Sequence, residues 1–133
     1  MISAHELRIG NHFTTYISKF RSETLTALAI KEGYVGYDKF GNHDFIWLRC
    51  EEIKPIRLKP EILEKCGFKK DEDYHETYFE SYHTEINDFF SLQDQKNGDF
   101  VCVPIACNLN IRYLHQLQNF YFALIGEELK ITL

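Results

Sequence analysis

Tight-turn signals cut the first half of the chain into short pieces. Gly10-Asn11, Gly33 and Gly41-Asn42 leave runs of only a few residues between them, and those runs are rich in Thr, Tyr, Phe, Ile and Val. Short β-prone runs joined by glycine-containing turns predict short strands in a small, strongly curved meander or barrel. Phe13–Ile17 follows the first turn. Thr24, Thr26, Leu28 and Ile30 then alternate with Leu25, Ala27 and Ala29 as a strand coverable on both faces. Tyr34–Tyr37 and Phe45–Leu48 complete the set, and an SH3-like barrel is the architecture these spacings favour.

Beyond residue 50 the pattern changes. In Ile53-Lys54-Pro55-Ile56, the proline lacks a ladder donor, which predicts an edge strand or extended connector and a seam between two lobes. Pro60 at a first helical turn, Glu61 beside the positive helix end and Gly67 after Cys66 predict a short helix. Asn97-Gly98 is the strongest hairpin signal in the chain, leading into Phe100–Val103. From Tyr113 the period becomes 3.6: Tyr113, Leu117, Phe120, Tyr121 and Leu124 form one stripe, closed by Gly126. Leu129–Leu133 alternates as a terminal strand, and Tyr74, Glu76, Tyr78, Glu80 and Tyr82 share one strand parity. The fold class read from this is α+β: an SH3-like β-barrel or meander over residues 1–56, then a β-rich lobe over 57–133 with a short helix and one C-terminal helix. One continuous domain is the alternative organisation.

At 133 residues the chain is the size of one ordinary domain or two small lobes. Wholly apolar runs such as Ala27–Ile30 are far below the roughly 18 residues that span a bilayer, and no signal segment follows Met1. A cytoplasmic location without membrane contact is expected. Cys50, Cys66, Cys102 and Cys107 lack Cys-x-x-Cys spacing and read as reduced, core-type thiols.

The net charge of -5 is unevenly spread. Residues 71–99 hold nine acids and one base, whereas just before them Lys54, Arg57, Lys59, Lys65, Lys69 and Lys70 oppose only Glu61 and Glu64. Solvated faces explain such a run most simply; contact with phosphates is the sharper alternative, which the net charge opposes.

Chemistry-bearing constellations are sparse. His75 and His83, eight apart on a strand, would sit roughly 27 Å from each other at about 3.3 Å per residue. Cys102 and Cys107 flank Pro104 and do not form a ligand pair. The chain has no Gly-x-Ser-x-Gly elbow or phosphate-cradling Gly-Lys-Ser/Thr, and the pairs Glu51-Glu52 and Glu127-Glu128 read as solvated element ends. No catalytic residue, metal ligand or cofactor is assigned, and a non-enzymatic protein is expected.

One helix face stands out. Opposite the apolar stripe, His115, Gln118, Asn119 and Phe122 recur at i, i+3, i+4 and i+7. Uncharged hydrogen-bonding groups around one aromatic ring suit either burial against strand edges, the favoured use, or a partner contact.

The stretch Glu51-Glu52-Ile53-Lys54-Pro55-Ile56-Arg57-Leu58-Lys59-Pro60-Glu61-Ile62-Leu63-Glu64-Lys65-Cys66-Gly67-Phe68 resembles a segment of an uncharacterised family of small proteins from Bacteroidetes genomes and their phages or mobile elements. The opening Glu6-Leu7-Arg8-Ile9-Gly10-Asn11 and the end YLHQLQNFYFALIGEEL at 113–129 are similar to that family as well. The resemblance implies a phage or mobile-element setting and supplies no catalytic residue. Two functions follow: a protein-interaction module contacting another protein or itself, through His115, Gln118, Asn119 and Phe122; or a nucleic-acid-associated module using the barrel and the basic 54–70 stretch.

Overall fold

The computed structural model describes residues 2, 4–18, 21–42, 44–70, 81–84, 91–102 and 110–132. The chain divides into two compact units, one of residues 1–56 with 113–119 and one of residues 57–112 with 120–133.

In the first unit, β1 (His12–Ser18) pairs antiparallel with β2 (Arg21–Thr26). Two residues later the chain re-enters extended structure as β3 (Ala29–Lys31), turns through Glu32-Gly33 into β4 (Tyr34–Tyr37), and pairs again with β5 (Ile46–Arg49). Gly33 has φ 75°, the left-handed geometry such a two-residue turn demands. The loop after β4 is organised by Asp38, whose Oδ1 accepts from the N–H groups of Phe40, Gly41 and Asn42. A 3-10 turn at Cys50–Glu52 then delivers β6 (Ile53–Lys54) to the free side of β1. The strand order is β2-β1-β6 in one sheet and β3-β4-β5 in the other.

The strand expected through residues 24–30 is therefore two strands. Ala27 is fully buried and its amide and carbonyl leave the ladder for Asn11 and Gly10, so the chain bends there and passes from one sheet to the next. The two sheets enclose one core of Ile2, Leu7, Phe13, Ala27, Val35, Cys50 and Ile53, with Leu25, Ile30 and Leu48 packed against it. Among the described residues the strands form these two sheets and no closed barrel.

In the second unit, α1 (Pro60–Lys65) buries Leu63 and stops at Gly67, φ 82°. A five-stranded antiparallel sheet has the order β11-β10-β9-β8-β7, from β7 (Phe68–Lys70), β8 (Ser81–Thr84), β9 (Ser91–Asp94), β10 (Phe100–Cys102) and β11 (Asn110–Ile111). Its inner side carries Phe68, Tyr82, Leu92, Phe100 and Ile111, all buried. The Asn97-Gly98 turn joins β9 to β10 as expected. Asp99, at its foot, accepts from Arg112 Nε at 2.6 Å and Nη2 at 3.1 Å, a two-point ion pair that holds the Asp99 carboxyl below its ordinary range.

The last helix, α2, spans Leu114–Ile125. Its buried face is Leu114, His115, Leu117, Gln118 and Tyr121, rotated from the stripe expected from apolar spacing: Leu124 is exposed, while His115 and Gln118 are inside. Of the strand expected over Leu129–Leu133, the described residues 129–132 do not pair as a strand; Thr132 N–H donates to the Lys65 carbonyl at 2.9 Å, at the end of α1. The Tyr74–Glu80 alternation and Cys107 lie outside the described residues.

Candidate functional site

Three of the four residues in the polar helix stripe fall in the first unit, and the two amides among them, Gln118 and Asn119, bond within it. The Gln118 side chain is 2% exposed. Its Oε1 accepts the His12 N–H at 2.9 Å and its Nε2 donates to the Gly10 carbonyl at 3.0 Å. Asn119 Nδ2 donates to the Glu6 carbonyl at 2.8 Å, while its Oδ1 accepts from Asn11 Nδ2 at 2.8 Å and Arg8 Nε at 3.3 Å. Asn11 in turn accepts the Arg8 N–H at 2.7 Å. The two amides thus staple the 6–12 segment by taking the His12 N–H and the Gly10 and Glu6 carbonyls.

His115 is also buried, and neither ring nitrogen has a hydrogen-bond partner among the described residues. Its ring stacks on Tyr113 with centroids 5.9 Å apart and planes 12° from parallel. Burial pushes its pKa below the usual 6.5, with the Glu6 charge pulling weakly the other way. Phe122, in the second unit, is 38% exposed.

The six cations of the 54–70 stretch fall in both units. Lys54, in the first unit, lays its Nζ 4.3 Å from the Tyr16 ring centroid. In the second unit, Arg57 rests against Gly98 in the hairpin, Lys59 caps the start of α1, and Lys65 closes that helix. Lys69 and Lys70 are consecutive in β7 and so point to opposite sides of the sheet.

A different surface is assembled by the β3-β4-β5 sheet. The cross-strand row Ile30-Val35-Leu48 faces the core, so by alternation Ala29-Gly36-Trp47 and Lys31-Tyr34-Arg49 face out. A Cβ on Gly36 would lie 3.2 Å from the Trp47 ring and 3.3 Å from the Ala29 methyl. The indole therefore lies across a seat made by the two smallest residues of the sheet. Lys31 places its ammonium 4.1 Å from the indole centroid and 5.1 Å from that of Tyr34. Phe45, just before β5, meets Trp47 edge-on at 6.2 Å and 75°. Tyr34, Phe45 and Trp47 are each about two-fifths exposed.

No protein-family model matches the chain, and neither a search of curated proteins nor one of solved structures returns a match.

The structure thus brings together an aromatic face that the sequence shows only as a strand beginning at Phe45. The available signal was the pairing of small Ala29 and Gly36 with a lone Trp at matching parity, legible only once register is known. Among the described residues no three His, Cys, Asp or Glu side chains converge as a metal site, and no helix is long and apolar enough to cross a membrane.

Proposed function

We propose that this protein is a non-enzymatic protein-interaction module whose contact surface is the outer face of the β3-β4-β5 sheet. The carrying observation is Trp47: a large aromatic side chain, 38% exposed, held flat on Gly36 and Ala29 and flanked by Tyr34 and Phe45. Aromatic anchors in fixed positions are the residues that dominate binding energy at protein interfaces, because they bury much area for little lost side-chain freedom. An SH3-like relation of the two sheets is in keeping with their common core and the bend at Ala27. The setting is a phage or mobile element, as the sequence resemblance implies. The nucleic-acid alternative draws less support, since the chain is net acidic and Lys69 and Lys70 alternate across β7.

Site-specific photocrosslinking tests this. Benzoylphenylalanine replacing Tyr34 or Phe45 is expected to capture discrete protein adducts in the cell that makes the chain, whereas the same probe at exposed Glu61 should not. Equal adducts at all three positions, or adducts to nucleic acid alone, would refute the proposal.

A further inference from the structure

We infer that the partner of this face is an acidic peptide segment with interspersed apolar side chains, an inference that rests on the interaction reading above. The chain has 20 Asp and Glu against 15 Lys and Arg, yet the three strands of this sheet contain two cations, Lys31 and Arg49, and no acid. Both cations are exposed, and Tyr34 stands between them in one cross-strand row. Five acids border the sheet in its turns and flanking loops, Glu32, Asp38, Asp44, Glu51 and Glu52, and none lies on its strands. Asp38 binds three backbone N–H groups of its loop, Glu52 accepts the Arg49 N–H, and Glu32 is in the β3-β4 turn. An aromatic face whose strands carry two cations and no acid, on a protein of net negative charge, is complementary to a local carboxylate cluster.

The geometry also separates a peptide from a nucleic acid. A base recruited by stacking needs an open ring face. Here the Lys31 ammonium lies over the indole at 4.1 Å, on a ring surface that a base would use, and it keeps N–H donors for a carboxylate. A carboxylate takes those donors with the cation left in place, and apolar side chains beside it cover Phe45, Tyr34 and the indole edge.

Trp47 is the only tryptophan in the chain, so its emission reports on this face alone. The full-length protein is titrated with three probes: a ten-residue peptide alternating Glu and Leu, its Lys-Leu counterpart, and a thymidine ten-mer. The Glu-Leu peptide is expected to shift Trp47 emission to the blue with saturation, and the double charge reversal Lys31→Glu/Arg49→Glu to weaken it by about tenfold or more. Far-UV circular dichroism verifies that the variant is folded. Equal binding of the Lys-Leu peptide, or no loss in the charge-reversed variant, overturns the acidic partner while leaving an apolar docking face. A stronger response to the thymidine ten-mer overturns it in favour of nucleic acid. Silence towards all three overturns it too, and the crosslinking at Tyr34 and Phe45 then decides whether the face is a docking surface at all.

Discussion

Replacing Gln118 with Met removes two hydrogen bonds while nearly preserving side-chain length and volume. The native side chain is buried and serves the His12 N–H at 2.9 Å and the Gly10 carbonyl at 3.0 Å. A buried polar group left unpaired costs about 1–3 kcal/mol, so orphaning both costs about 2–6 kcal/mol. Met is easier to desolvate than Gln and returns about 1–2 kcal/mol of that. The expected net loss is about 1–4 kcal/mol, or roughly 10 °C in melting temperature near the middle of that range for a chain of this length. Urea denaturation followed by Trp47 emission measures it directly, because Trp47 lies in the same unit as Gln118. Amide exchange at His12 should quicken in parallel. A Gln118→Met variant within about 0.5 kcal/mol of the natural protein would show that water or relaxation satisfies the 6–12 backbone without the helix, and the stapling argument would be wrong.

Acid should loosen the same unit. His115 and His12 both have folded-state pKa values lowered by burial from 6.5, so the unfolded chain takes up protons first and stability falls as pH drops below about 6.5, levelling off once the folded-state values are passed. The slope reaches at most about 1.4 kcal/mol per pH unit for each histidine. Urea midpoints between pH 7.5 and 5 should decline, and His115→Leu should flatten the decline; an unchanged slope would acquit His115. At Gly36, a Leu side chain has no room beneath the indole, so Gly36→Leu should red-shift Trp47 emission and increase acrylamide quenching with the fold retained. Burial pushes the Cys66 thiol up to about 12, so Ellman's reagent at pH 8 should label it only after denaturation, and rapid native labelling would contradict its placement. Asp99→Asn should speed exchange of the Gln95 amide, which donates to the Asp99 carbonyl in the hairpin that Arg112 anchors.

Local chemistry carried most of what could be read in advance. The Asn97-Gly98 hairpin, the stop at Gly67 and the 3.6-residue period after Tyr113 each depend on a few neighbouring residues, and each formed where the spacing placed it. Long-range satisfaction was hidden. The apolar count put Leu124 inside and treated His115 and Gln118 as the opposite face, yet the helix turned its amides towards a backbone segment more than a hundred residues earlier. No periodicity encodes that choice, because it is the unpaired N–H and C=O groups of residues 6–12 that set it. The same holds for Leu129–Leu133, whose alternation fits a strand but whose neighbour is a helix end. Trp47 was legible as a strand residue; its exposure depended on which row of the sheet met the core.

Gln118 and Gly10 are separated by 108 positions, and that gap has a consequence for synthesis. As the protein leaves the ribosome, its amino-terminal strands emerge long before the amides that fasten their leading edge. Contacts of such long range are slow to form and leave the early chain open to wrong pairings. A stop codon just before Tyr113 would therefore release a polypeptide with every described strand already made but without the side-chain amides that fasten residues 6–12.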